Sequence, residues 1–176
     1  PAGARVACPA SACDGRIGNM WWDMGKPILV FQRREGWNNE ETALYRWDLA
    51  KRRVTSILRT RDAITGCIRS GPRLICGREN AVTPRRLVEI DMIRGTQRML
   101  FDPNPEFRSI ALGKVERLRW KNDFGLPAWG DLVLPPGYRG SSKLPLVIVT
   151  YLSRGFLRGG IGDDYPIHLL AAQGMA

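Results

Sequence analysis

The chain has 176 residues, 44% of them hydrophobic and 25% charged, with a formal net charge of +10. These values suit a globular protein and exclude a disordered or low-complexity chain. No apolar run approaches the ~20 residues needed to span a bilayer, so no membrane partner is expected.

Of the 27 basic residues 5 are Lys, and the arginines are spread along the whole length. No RNA-recognition signature or zinc-finger spacing accompanies them, so the charge reads as a solvated basic surface and no nucleic-acid partner is expected. The first residue is Pro and no signal-peptide core follows it, which fits a processed start or a piece of a longer chain. Four cysteines form two close pairs, Cys8/Cys13 and Cys67/Cys76. Neither pair is a C-x-x-C and His168 is the only His, so no metal site is expected. Each spacing suits a small disulfide loop between neighbouring strands or across a turn. Disulfides would favour an exported, oxidising compartment, the bacterial periplasm ahead of the cytoplasm. Four free thiols packed in the core are the alternative.

In chain order, residues 1–15 read as a loop or the remnant of a preceding unit. A repeat follows. Residues 44–48 (Leu-Tyr-Arg-Trp-Asp) are echoed 43 residues later by 87–91 (Leu-Val-Glu-Ile-Asp). Each is preceded by an apolar strand ending in Arg-Glu, at 28–35 and 74–79, and followed by a basic turn and another strand, at 53–58 and 96–101. The strands are short, rich in Val, Ile, Leu and Trp, and bounded by turn residues. Asp48 and Asp91 end their strands where a carboxylate can accept backbone N–H bonds. Repeats of ~40–45 residues with several short strands mark propeller blades. The predicted blades cover 16–59 and 62–101. Two blades cannot close a ring, and Trp21, Trp22 and Trp47 are candidates for packing between blades. A self-contained β-sandwich of about eight strands is the alternative, against which the helical tail argues.

Residues 102–107 (Asp-Pro-Asn-Pro-Glu-Phe) break the repeat with two prolines, and the expected domains are 1–106 and 107–176. Residues 114–121 and 128–134 read as a hairpin about the turn 122–125. After a loop at 135–143, residues 144–151 (Leu-Pro-Leu-Val-Ile-Val-Thr-Tyr) read as a strand covered on both faces. A Gly-rich loop leads to a helix over 165–173, with Pro166 in its first turn and Gly174 ending it. The change from repeating strands to hairpin, buried strand, loop and helix is how an α/β domain begins.

Three stretches carry a resemblance. They are Leu-Pro-Pro-Gly-Tyr at 134–138, the strand ending in Tyr151, and the helix end Leu-Ala-Ala-Gln-Gly at 170–174. Together they resemble the prolyl oligopeptidase family of serine peptidases, in which a propeller precedes an α/β-hydrolase domain. Most relatives follow the strand Tyr with Gly-Gly-Pro. The run 151–168 here looks instead like the lasso-peptide isopeptidase branch, as do Cys-Gly-Arg-Glu at 76–79, Thr-Pro-Arg-Arg at 83–86 and residues 100–107. The resemblance implies a mostly β chain: about two blades of a partial β-propeller, then the N-terminal part of an α/β-hydrolase domain.

It also implies a serine peptidase hydrolysing the isopeptide bond of a peptide substrate through an acyl-enzyme, with no cofactor. A general dipeptidyl- or oligopeptidase on linear peptides and a non-catalytic propeller binding module are the rival readings. No Gly-x-Ser-x-Gly elbow occurs in the 176 residues, so the triad is expected after them and the segment alone is expected to be inactive. Ser153 lacks the first Gly of an elbow, and His168 reads as structural. In the resembled family a Tyr matching Tyr151 donates its hydroxyl to the oxyanion hole; the alternative is a Tyr packed at a strand end. Beyond it, Arg154, Phe156, Arg158, Asp163 and Asp164 are candidate substrate-binding residues, with an ordinary solvated loop as the alternative. The strand is expected to leave Val147, Ile148 and Val149 at an open edge.

Overall fold

The computed structural model describes residues 5–23, 25–140, 142–150, 154–157 and 166–176. Two four-stranded antiparallel sheets follow one another in the chain. The first contains β1 (Ile17–Asp23), β2 (Ile28–Glu35), β3 (Glu41–Asp48) and β4 (Arg53–Thr60); the second contains β5 (Ala63–Ser70), β6 (Arg73–Asn80), β7 (Thr83–Asp91) and β8 (Gln97–Phe101). In both, spatial order equals chain order, the up-and-down meander of a propeller blade. A separate hairpin pairs β9 (Val115–Lys121) with β10 (Pro127–Val133), and α1 (Ile167–Ala172) is the one α-helix among the described residues.

The expected turns form at Asp48 and Asp91. The Asp48 carboxylate accepts the Lys51 N–H, and that of Asp91 accepts those of Ile93 and Arg94. These backbone donors hold the Asp91 carboxyl below its usual range.

The core lies in the seam between the two sheets. Side chains alternate in β2, and cross-strand pairing puts Val30 and Leu44 on the face turned to the second sheet. They meet Ile64, Leu74, Cys76, Val88 and Ile90, all buried. Each such aliphatic side chain contributes roughly 1.5–3 kcal/mol on burial. Trp21 packs against this cluster. Its pairing partners place Trp22 and Trp47 on the opposite face, where Trp22 is exposed and Trp47 is buried beside the stacked pair Phe31–Tyr45. Of the three tryptophans, then, only Trp21 enters this seam.

Both cysteine pairs are disulfides, so the reading of four free thiols falls. The two bonds take different places. Cys67–Cys76 joins neighbouring strands β5 and β6 at the bulge between Thr65 and Ile68, and Cys76 is fully buried in the seam. Cys8–Cys13 joins no strands. It spans a 3-10 turn, Ser11–Cys13, the second of the two settings its spacing allowed, within an otherwise irregular stretch. The physical reason is local hydrogen bonding: the Cys13 N–H donates to Ala10 O at 2.9 Å and the Asp14 N–H to Ser11 O at 3.0 Å. That tight winding brings the Cα atoms of Cys8 and Cys13 to 6.2 Å, within reach of a disulfide. Cys8 and Cys13 are half-buried and lie outside the core seam. Reduction of the protein is expected to cost ~2–4 kcal/mol of stability. The check is a urea titration with and without reductant; coincident midpoints would show that the bonds contribute nothing.

Residues 144–150 correct the sequence reading. They form no strand ladder, and Leu146 and Ile148 are 64% and 76% exposed rather than covered. The physical reason is the absence of flanking strands among the described residues. One partner exists: Val147 N–H donates to Ala176 O, and Ala176 N–H to Pro145 O. That slanted pair is the pattern of a parallel bridge. The helix ends as expected. Gly174, at φ 88°, directs its N–H to Ala171 O while Met175 N–H reaches Leu170 O, closing a Schellman motif.

Candidate functional site

The described residues after 113 meet the first sheet through one turn. Gly36 and Glu40 flank a 3-10 turn, Trp37–Asn39, between β2 and β3. Asn38 and Asn39 have positive φ, which Asn tolerates better than most residues. The turn is clasped from both sides: the Trp37 indole N–H donates to Ala128 O, and that of Trp129 donates to Asn38 O.

Below the turn sits an ionic cluster. Arg117 and Asp131 face each other in the β9–β10 register and make a forked pair, Nε to Oδ1 at 2.5 Å and Nη2 to Oδ2 at 2.8 Å. Arg117 Nη1 also reaches Glu40 Oε2 at 3.2 Å, and Arg119 pairs with Glu40 Oε1. The Arg117 guanidinium lies 4.0 Å from the Trp129 ring centroid. Glu40 is 2% exposed. Burial by itself would raise its carboxyl, but the hydrogen bonds from Arg119 and Arg117 outweigh that and hold it below its ordinary value of 4.5.

Arg154 and Phe156 take separate places. Arg154 Nη1 donates to Asn39 O at 2.6 Å, and its guanidinium stands 5.5 Å from the Trp129 ring. It lines a cleft of about 610 Å3 between the two sheets. Phe156 does not line that cleft. It meets Phe107 edge-on at 5.5 Å and His168 at 5.1 Å, tying its segment to the 3-10 turn Pro105–Ser109 and to α1. The His168 Nε2–H donates to Ala81 O at 2.9 Å. The Leu157 N–H reaches the same oxygen. Tyr151, Ser153, Arg158, Asp163 and Asp164 lie outside the described residues.

Gly155 fixes how closely this segment approaches the second sheet. It has φ 84°, and a Cβ there would stand 2.5 Å from Glu79 Cγ. Glu79 is buried and paired with Arg85, so its side chain has little room to yield. Gly155→Ala is expected to destabilise the protein by about 2 kcal/mol, read from the urea midpoint; an unchanged midpoint would refute the close approach.

A second cavity, about 510 Å3, separates the hairpin from residues 146–150. Its walls are mainly apolar, and its one carboxylate side chain, Asp131, is held by Arg117. Among the described residues Thr150 brings its one side-chain hydroxyl and no free base stands beside it, so the cavity reads as packing space. The ionic cluster was missed in the sequence, although the turn at 122–125 fixes a register that sets Arg117 opposite Asp131. The pairing of Glu40 with Arg117, 77 residues away, had no local signal.

The chain is 46% identical over 174 residues to the lasso peptide isopeptidase AtxE2 of Asticcacaulis excentricus. A solved structure of an AtxE2 variant with Astexin3-dC4 bound superposes with a TM-score of 0.92 at 45% identity, covering 99% of this chain. The chain is a homologue of a lasso peptide isopeptidase. It spans 25% of that relative's length. The acylaminoacyl peptidase of Pyrococcus horikoshii shares the fold at a TM-score of 0.66 and 22% identity, over 94% of this chain and 25% of its own. Dipeptidyl peptidase 4 of Porphyromonas gingivalis does so at 0.63 and 18%, over 90% of this chain and 23% of its own. No family model matches. The likeness to the lasso peptide isopeptidase thus holds in both sequence and fold, and the likeness to the other two peptidases in fold alone.

Proposed function

We propose that this chain is part of a serine isopeptidase that opens the isopeptide bond of lasso peptides. The supporting observation is the 46% identity across 99% of the chain to a lasso peptide isopeptidase. The peptide seen on the AtxE2 variant supports a peptide substrate here. The activity belongs to the longer protein, in which residues 1–106 supply the last propeller blades and 107–176 open the hydrolase domain. Its serine attacks the isopeptide carbonyl, the amine leaves with a proton from the catalytic base, and water then hydrolyses the acyl-enzyme. Residues 1–176 hold no nucleophile elbow, so alone they are inactive. The two disulfides support a periplasmic setting.

The test is mass spectrometry of products from the full-length enzyme given a threaded lasso peptide and a linear peptide of the same sequence. Opening of the threaded peptide's ring, with every backbone bond of the linear peptide left intact, is the expected result. Cleavage of the linear peptide alone would install the oligopeptidase reading, and cleavage of neither would leave a binding module.

A further inference from the structure

The cleft between the two sheets has an unusual charge content. Four arginines line it, Arg16, Arg33, Arg34 and Arg154, and no carboxylate among the described residues does. Arg33 is engaged, with hydrogen bonds to Ser11 O and Ala12 O and an ion pair with Glu35. The other three have no ion pair among the described residues. Arg34 donates to the Thr42 hydroxyl at 2.8 Å, and Arg154 to a backbone carbonyl. Arg16 and Arg34 are neighbours, since the Arg34 N–H bonds to Arg16 O.

The cleft is also built to keep its shape. Gln32, buried at its floor, accepts from the Asn19 amide at 2.9 Å and donates to Ile64 O at 2.8 Å, joining both sheets. Burial lowers the basicity of Arg34. Burial, followed by repulsion from Arg34, Arg117 and Arg16, does the same for Arg154. Gathering cations in a half-buried place costs stability unless an anion arrives to offset it. A guanidinium presents forked donors that match a carboxylate.

We infer that the seam between the two blades is a carboxylate-binding subsite in which Arg16, Arg34 and Arg154 hold an acidic group of the peptide substrate. This rests on the peptide-hydrolase reading and extends it from the loop after residue 150 to the propeller strands. It assigns the propeller a direct part in substrate choice.

The experiment measures binding directly, by titration calorimetry on the full-length protein. The probes are Astexin3-dC4 and the same peptide with its free carboxylates converted to methyl amides. Arg34→Gln and Arg154→Gln are each expected to weaken binding of the acid peptide ~10-fold, and exposed Arg16→Gln, which leaves no packing gap, ~3-fold. The amide peptide should bind the unmodified protein as weakly as the acid peptide binds the variants, and the variants should bind it no worse. Equal losses with both peptides would mean a structural role and overturn the inference, as would no loss with either. Asp163→Asn with Asp164→Asn distinguishes the chain's own carboxylates. Tighter binding of the acid peptide agrees with competition for the subsite; loss of the arginine effects would assign the subsite to those carboxylates and overturn the proposal. Binding without cleavage leaves the subsite standing and removes the isopeptidase reading, whereas failure to bind either peptide removes both.

Discussion

Glu40→Gln is expected to destabilise the protein by roughly 3 kcal/mol, the low end for breaking a buried ion pair, because Arg119 retains access to water. The substitution keeps size and shape and removes the charge. It leaves Arg117 and Arg119 without their shared counter-charge beneath the clasped turn, and turns one of the two acceptor oxygens into a donor. The same carboxylate sets an acid limit. Its folded-state value lies below 4.5, so its contribution is fully present above about pH 4.5 and is lost as pH falls through the lower, folded value. Unfolding followed by tryptophan fluorescence should therefore show a stability falling below about pH 4.5, with a shallower fall in the Gln variant. Parallel acid profiles for the two proteins would remove Glu40 from this role.

Tyr151→Phe in the full-length enzyme is expected to lower kcat by ~10²–10³ while leaving KM and the urea midpoint nearly unchanged. The reasoning runs from position and chemistry. Tyr151 follows a β-branched run in the sequence, and the resemblance to serine peptidases of this type implies an oxyanion donor at that position. A phenol there donates a hydrogen bond that strengthens as negative charge develops on the carbonyl oxygen, so its loss is felt in turnover rather than in binding. Unaltered turnover would reduce Tyr151 to a packed aromatic. A loss shared between kcat and stability would make it structural.

The blades were legible in the sequence because every cue was local. Turn carboxylates, alternating faces and a 43-residue echo all act within one sheet, and the sheets at 17–60 and 63–101 fall where the repeat put them. The hairpin and the Gly174 helix end were legible for the same reason. The spacing of Cys8 and Cys13 left strand pair and turn equally open, and only the backbone bonds around Ser11 decide for the turn. Residues 144–150 were half legible: the β-branched run declares an appetite for burial and was read as a covered strand, which it is not, while the open edge expected at Val147 and Ile148 is seen in their exposure. The seam cleft was invisible for the opposite reason. Arg16, Arg34 and Arg154 are ordinary surface arginines in sequence, and only the stacking of the two sheets and the docking of the later segment set them around one space.

The clasp around the turn at 37–39 has a consequence for how this protein can change. Its three grips, from the Trp37 and Trp129 indoles and from Arg154, all take hold of main-chain carbonyl oxygens. Every amino acid offers that oxygen. The joint therefore constrains the backbone path and leaves the side chains of Asn38 and Asn39 answerable only to their left-handed conformation. Both asparagines line the seam cleft. A lineage is thus free to exchange these two rim residues for others that accept that conformation, Gly or Asp above all, while the union between propeller and hairpin stays intact.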